Sequence, residues 1–175
     1  MNNVYIDGQT FYPSSIKRAG YLSMLSKDNR LDTHFILRDK YRAGTTSTSG
    51  KQKSMDEFYE NIFNNAYTFC SRGVGNFSVR FYETLAMGRI PVLLNTDCKL
   101  PLDSEIDWKN HCVIIKEAEV KTMPEKIVAF HERLSNEAFE NLQLNNRKLW
   151  ETKLMRHAYF IAIHEVFMTK LGVHE

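Results

Sequence analysis

The sequence has few cysteines, no long apolar run and no marked excess of charge of either sign. Its three cysteines, Cys70, Cys98 and Cys112, are scattered and lack Cys-x-x-Cys spacing, which argues against a zinc ribbon or disulfide framework and favours reduced, buried thiols. No apolar stretch approaches the roughly 18 residues of a membrane span, and the polar N-terminus lacks a signal-peptide pattern, so we expect a cytoplasmic protein. The 23 basic and 21 acidic residues leave a net charge of only +2, which indicates no nucleic-acid or membrane-surface partner.

The 175 residues have the composition of one ordinary globular domain, so we treat 1–175 as a single unit. Apolar runs near residues 4, 34, 68, 91 and 113 predict strands, each with a helix nearby. This alternation predicts an α/β fold, a Rossmann-like and mainly parallel sheet with helices on both faces. The remaining predicted segments are helices over 16–27, 55–65 and 122–134, a flexible polar loop over 44–54, and a long helical segment over 136–171 with a candidate break near 145–146.

The most informative stretch is residues 67–94, because it combines a glycine loop with the signals for two strands and a helix. Glycine in such a loop can adopt positive φ and let a ligand approach the backbone. A good N-cap precedes the helix, and a glycine follows where helices end in the left-handed conformation. In order, these features are strand 67–70, Gly73 and Gly75 in the loop, Ser78 as the N-cap, helix 79–87, Gly88, and strand 90–94.

The chemistry of this stretch indicates an anion. A helix that starts after a glycine loop presents unpaired N–H groups and the positive end of its dipole, and Arg72 and Arg80 flank that point. Glu83 lies five residues beyond Ser78, about 7.5 Å along the helix axis, which is roughly the distance from a diphosphate to its ribose. These residues describe a nucleotide-diphosphate site, although strand, glycine loop and helix units are common in α/β proteins and do not establish one. The alternative is that Arg80 and Glu83 form an ordinary surface ion pair.

The same stretch resembles the exostosin-type glycosyltransferases. Their pattern is a strand ending in Phe-Cys, a glycine loop, Ser-x-Arg-x-x-Glu-Ala-Leu and then Gly-Cys-Ile-Pro-Val. This chain has Phe69-Cys70, Gly73, Gly75, Ser78, Arg80, Glu83-Thr84-Leu85 and Gly88-Arg89-Ile90-Pro91-Val92, and the likeness continues through Asp97, Leu100-Pro101-Leu102 and Ile106-Asp107-Trp108.

The resemblance implies half of a GT-B enzyme, whose two Rossmann-like domains face each other across a cleft. The matched half is the C-terminal one, which holds a UDP-sugar, so the acceptor-binding N-terminal domain is expected outside this chain. By resemblance, Glu83 binds the donor ribose, while Ser78, Arg80 and the loop amides of Gly73, Gly75 and Asn76 hold the diphosphate. Three departures leave the donor sugar open, namely Arg72 for Pro, Thr84 for Ala and Arg89 for Cys.

Several other features carry competing interpretations. Arg38 ends the predicted strand 33–37 and is a candidate for another phosphate contact, although an ion pair with Asp39 or Asp32 is the alternative. The connection 95–110 holds four carboxylates that suit either a metal or solvated and capping roles, and we expect no metal. Those carboxylates are Asp97, Asp103, Glu105 and Asp107.

The expected function is therefore donor binding for metal-independent, inverting transfer of a sugar from a nucleotide diphosphate, with UDP the expected nucleotide, to a carbohydrate acceptor. No cofactor is expected beyond the donor substrate itself, and no residue of the chain is identified as the catalytic base. The alternative is a non-catalytic nucleotide-sugar-binding module that needs a partner domain for activity.

Overall fold

The computed structural model describes residues 12–38 and 44–172. Within them the α-helices are α1 Ser14–Lys27, α2 Thr48–Asn64, α3 Val79–Ala86, α4 Met123–Glu132, α5 Asn136–Leu149 and α6 Arg156–Leu171. The strands are β1 Tyr67–Cys70, β2 Ile90–Asn95 and β3 Val113–Lys116. Short 3₁₀ turns at Trp108–Asn110 and Glu117–Thr122 and a π turn at Trp150–Leu154 complete the regular structure. In these residues no helix is long and apolar enough to cross a bilayer.

The three strands form one parallel sheet in the order β1-β2-β3. Phe69 lies opposite Val92, and Val92 lies opposite Val113. The central strand β2 is apolar and buried along its first five residues, as expected for a parallel strand covered on both faces. The carboxyl ends of all three strands therefore meet at one edge, at Ser71, Thr96 and Glu117, which we call the carboxyl edge.

Both faces of the sheet are covered by apolar side chains. Helices α1, α4 and α5 pack on one face through residues such as Leu25, Ile127 and Leu142. Helix α3 and the connection between β2 and β3 cover the other face, where Phe81 and Trp108 lie. Burying one such large side chain contributes about 1.5–3 kcal/mol. The predicted fold, a parallel α/β sheet with helices on both faces, is confirmed.

The predicted strand at 33–37 is wrong, although its alternating pattern is real. Phe35 packs against the core, while Ile36 and Leu37 are 44% and 76% exposed. The carbonyl of His34 accepts a hydrogen bond from the Asn61 side chain of α2 at 2.9 Å, so it is not part of a strand ladder. The other strand predicted beyond β1–β3, near residue 4, lies outside the described residues.

The predicted flexible loop at 44–54 is also wrong over most of its length, because α2 already begins at Thr48. The Ser47 hydroxyl caps this helix by accepting a hydrogen bond from the Gly50 amide at 3.1 Å. Gly50 suggested flexibility, yet it lies in the first helical turn, where an added Cβ would come within 2.1 Å of the Thr45 hydroxyl. Glycine is therefore required here by close packing.

The helical segment over 136–171 is interrupted later than the sequence suggests. Helix α5 runs through Asn145 and Asn146 to Leu149, and the interruption comes at Met155, whose ψ of 150° is extended. Asn146 does not break the helix because its buried amide donates to the carbonyls of Arg89 and His111 at 3.0 and 2.9 Å. These carbonyls lie at the amino ends of β2 and β3, and Asn146 thus closes that edge of the sheet.

Candidate functional site

The glycine loop between β1 and α3 lies at the carboxyl edge and is held there by hydrogen bonds. Asn76 and Thr96 exchange two hydrogen bonds, from the Asn76 amide to the Thr96 carbonyl at 2.9 Å and from the Thr96 hydroxyl to the Asn76 side-chain oxygen at 2.7 Å. The Gly73 amide also donates to the Phe77 carbonyl at 3.3 Å. Asn76 therefore positions the loop against β2, and its side chain is already engaged.

The loop glycines do not use positive φ, contrary to the sequence prediction. Gly88 does adopt it, with φ of 62° at the end of α3, as predicted. Gly75 is required for a different reason, because a Cβ at this position would lie 2.7 Å from the Phe77 ring. Gly73 has open space where its Cβ would lie, which leaves the backbone accessible from that side.

The first turn of α3 has no side-chain cap, whereas a carbonyl of its last turn accepts a hydrogen bond from an arginine. Ser78 is the N-cap residue, as predicted, but its hydroxyl makes no capping hydrogen bond. At the other end, the guanidinium of Arg147 donates to the Ala86 carbonyl. A cation at the negative end of a helix is favourable, whereas the positive end of α3 remains available to an anion.

Arg80 and Glu83 both lie on α3 but do not form the surface ion pair considered above. The Arg80 guanidinium lies over the Phe58 ring of α2, 5.1 Å from its centroid. Among the described residues, no carboxylate lies within 4.0 Å of Arg80, and the half-buried Glu83 carboxylate accepts no hydrogen bond. Burial raises the pKa of Glu83, and the charge of nearby Arg80 partly opposes that rise. A carboxylate left in this state is suited to accept hydrogen bonds from a ligand hydroxyl.

Arg72 is held by its own loop and by the residues that precede α1. Its guanidinium lies over the Tyr12 ring, 4.5 Å from the centroid, and donates to the Val74 carbonyl at 3.0 Å. The Lys17 ammonium lies 4.4 Å from the centroid of the same ring. The predicted phosphate-binding residue Arg72 is thus at the carboxyl edge, with much of its guanidinium engaged in protein contacts.

Arg18 is at the site and was not predicted from the sequence. Its Nε donates to the Ser71 hydroxyl at 3.1 Å, and its Nη2 donates to the Arg72 carbonyl at 3.3 Å. Burial lowers the pKa of Arg18, and the repulsion from Arg80 adds to this effect. The missed signal was positional, because the sequence predicts a strand near residue 4 before this helix, and a helix that follows a strand of an open α/β sheet begins on the ligand side.

Arg38 is bound to α2, with no hydrogen bond to Arg18, Arg72 or Arg80 among the described residues. Its guanidinium donates to the Ser54 hydroxyl at 2.7 Å and forms an ion pair with Glu57 at 2.8 Å, both on α2. Neither a contact with the glycine loop nor the alternative pairing with Asp32 is formed in the described residues, and Asp39 lies outside them. The contacts of Arg38 are those of a residue that holds the chain to α2.

Two of the three departures from the family pattern have their side chains engaged in contacts within the protein. Thr84 is fully buried, and its hydroxyl donates to the Arg80 carbonyl at 2.7 Å within α3. Arg89 lies at the amino end of β2, where it donates to the Phe63 carbonyl at 2.7 Å and to Gln143 at 3.1 Å. These residues therefore have structural roles, and Arg72 is the departure that can affect a ligand.

The acidic connection after β2 forms an open groove of about 620 Å³, lined by Cys98–Leu100, Asp103–Lys109 and Ile114. Asp107 caps the following 3₁₀ turn, because its carboxylate accepts from the Lys109 amide at 3.3 Å. Trp108 is 5% exposed and donates from its indole nitrogen to the Pro101 carbonyl at 3.1 Å. Within residues 12–38 and 44–172, no group of three or more His, Cys, Asp or Glu side chains is arranged to hold a metal ion.

The fold and the carboxyl edge define the class of this protein, an α/β domain of Rossmann-like type with a glycine loop, an open helix start and converging arginines. The sequence model of the Exostosin GT47 domain matches residues 24–129, well over half of the chain, and the protein belongs to this family. It is 32% identical over 119 residues to Exostosin-1 of Drosophila melanogaster, which covers 66% of this chain and 14% of that protein. It is 31% identical over 98 residues to an Exostosin-1 homolog of Caenorhabditis elegans, which covers 51% of this chain and 25% of that protein. The matched region thus spans a quarter or less of each relative.

Proposed function

We propose that this chain is the donor-binding domain of a glycosyltransferase that takes a nucleotide-diphosphate sugar, with UDP as the nucleotide. The observation that carries the proposal is the arrangement at the carboxyl edge. Arg18 and Arg80 lie there without a carboxylate partner among the described residues, beside the open first turn of α3. Glu83 lies one turn further along the same helix, half-buried, and its carboxylate has no hydrogen bond to any other residue in the described ranges. Membership in the Exostosin GT47 family supports the sugar-transfer chemistry.

In this proposal the domain binds the donor through two chemically distinct contacts. The diphosphate accepts hydrogen bonds from the first-turn amides of α3, from the Ser78 hydroxyl and from guanidinium groups. The ribose hydroxyls donate to the Glu83 carboxylate. The ligand would then supply Glu83 with hydrogen bonds that residues 12–38 and 44–172 do not provide, and Arg80 with a negative charge.

The proposed reaction is a single displacement that inverts the anomeric carbon. The acceptor hydroxyl oxygen forms a bond to that carbon while the bond from the carbon to the β-phosphate oxygen breaks, and the nucleoside diphosphate leaves with the electron pair. The arginines and the start of α3 stabilise the charge that develops on this leaving group, so the proposal requires no metal ion. The acceptor proton passes to a base on an acceptor-binding domain that is not part of this chain.

Titration calorimetry with UDP, UMP and uridine tests the binding step. The expected result is that UDP binds most tightly, and that UDP at a hundred times its Kd stabilises the fold by about 2.7 kcal/mol. Transfer and hydrolysis assays with UDP-sugars, with and without EDTA, follow on the same protein. Binding without turnover favours a module that needs a partner domain for activity, while absence of UDP binding overturns the proposal.

A further inference from the structure

We infer that Arg18 on α1, rather than Arg72 in the glycine loop, supplies the second guanidinium that contacts the donor diphosphate alongside Arg80. This inference rests on the proposed function, and it reverses the sequence prediction, which selected Arg72 and did not include Arg18. Arg72 is instead a positioning residue, which holds the chain before α1 against the loop.

The contacts of Arg18 leave its charge available. Both of its hydrogen-bond partners, the Ser71 hydroxyl and the Arg72 carbonyl, are neutral acceptors. Within residues 12–38 and 44–172 it has no carboxylate within 4.0 Å. A guanidinium has five donors, so two hydrogen bonds leave others for a phosphate. Its partner Ser71 is 8% exposed and directly follows β1, which fixes the guanidinium at the carboxyl edge.

Arg18 and Arg80 are also close enough to repel each other. The charge of Arg80 lowers the pKa of Arg18, in addition to the effect of burial. Two like charges held together by the fold, without a protein counter-ion in the described part of the chain, are stabilised when a dianion binds between them. A diphosphate provides that charge, and its oxygens suit the planar fork of donors on each guanidinium group.

Arg72 has a different set of contacts. Its guanidinium lies over the Tyr12 ring and donates to the Val74 carbonyl two residues further along. These contacts connect the segment before α1 to the glycine loop, and they hold the loop backbone that Arg18 also contacts. Loss of Arg72 is therefore expected to loosen the whole carboxyl edge, with no preference for one part of the ligand.

The test compares R18Q, R18K, R72Q and the control R30Q in the full chain. Arg30 follows the C-terminal end of α1, where it is paired with Asp28 at 2.6 Å, so R30Q removes the same charge away from the site. The ligands are UDP, uridine and inorganic pyrophosphate, each titrated by calorimetry. Melting temperatures of the ligand-free variants are measured alongside, so that loss of folding is separated from loss of binding.

The expected result for R18Q is a loss of about 10- to 150-fold in affinity for UDP and pyrophosphate, the usual range for one charge-assisted hydrogen bond, with uridine affinity unchanged. R18K keeps the positive charge but lacks the planar set of guanidinium donors, so it recovers part of the lost affinity for UDP and pyrophosphate. R72Q melts at a lower temperature and keeps the wild-type ratio of UDP to uridine affinity. R30Q matches the wild type with all three ligands.

Two outcomes overturn the assignment. In the first, R18Q binds UDP and pyrophosphate as the wild type does, or R72Q shows the phosphate-selective loss instead. In the second, the wild type binds neither pyrophosphate nor UDP. If R18Q does not fold, wild-type UDP affinity in R18K overturns it. A wild type that binds pyrophosphate in an Arg18-dependent way but does not bind UDP retains the anion site and overturns the proposed nucleotide function alone.

Discussion

Replacing Glu83 with glutamine is expected to weaken UDP binding and to stabilise the ligand-free protein at neutral pH. Gln keeps the shape of Glu83 and removes its charge. If the carboxylate accepts a charge-assisted hydrogen bond from the ribose, its loss costs about 1.5–3 kcal/mol of binding, or roughly 10- to 150-fold in Kd. UMP and uridine carry the same ribose and should lose a similar factor, whereas pyrophosphate affinity should not change.

The stability effect follows from the direction of the Glu83 pKa. Burial raises this pKa above its ordinary value of 4.5, so the folded state favours the protonated form. The contribution of Glu83 to stability is therefore fully present below pH 4.5 and is lost as the pH rises through the pKa of the folded state. The wild type should become less stable relative to E83Q over that interval and remain so at neutral pH.

Urea denaturation of both proteins between pH 4 and 8, in parallel with calorimetry at pH 7, measures the two effects together. If Glu83 binds the ligand and lowers the stability of the ligand-free protein, E83Q is more stable than the wild type and binds UDP more weakly. If E83Q binds uridine as tightly as the wild type, Glu83 does not contact the ribose. If the stability difference has no pH dependence, the carboxylate is not desolvated as the structure indicates.

Two substitutions and one thiol-labelling experiment test the fold that supports the site. Gly88→Ala places a Cβ 3.1 Å from the Gln143 carbonyl at a φ of 62°, so a loss of about 1–3 kcal/mol in unfolding free energy is expected. The control Gly20→Ala meets no atom within 4 Å on α1 and should gain about 0.5–1 kcal/mol, and equal effects would refute the reasoning. Asn146→Ala leaves two buried carbonyls without their side-chain donor and should cost about 2–4 kcal/mol by urea titration, against almost nothing for the exposed neighbour Asn145→Ala. Of the three thiols only Cys98 is partly exposed, so a colorimetric thiol reagent should modify one cysteine in the native protein, and rapid reaction of more than one would contradict the described burial.

Local patterns predicted the region around the site well. The strand, loop, helix and strand over residues 67–94 are formed by neighbouring residues, and each is marked by its own signals. Gly88 takes the left-handed position because a residue without a Cβ meets no steric penalty there, and Ser78 takes the predicted N-cap position, although its hydroxyl makes no capping hydrogen bond. The Exostosin GT47 resemblance is also confirmed, since it depends on the same contiguous stretch.

The sequence did not predict features that depend on distant partners. Residues 33–37 alternate as a strand does, but a strand also needs a neighbour, and the His34 carbonyl instead accepts from Asn61. Arg18 is 53 residues from its partner Ser71, and no local pattern joins them. Gly50 shows the converse error, because a residue type associated with mobility is held in a helix by the packing of Thr45.

The closed amino edge has a practical consequence for engineering this domain. Arg89 and Asn146 join helices α2 and α5 to the starts of β2 and β3, away from the carboxyl edge. Mutant libraries at residues 78–80, in the first turn of α3, should therefore alter which ligands are accepted, while most variants still express in folded form. Libraries at residues 86–89 and 143–147 should mainly lower the yield of folded protein and leave ligand preference as it was. A selection for altered donor use is best confined to the first region, with the second held at its native sequence.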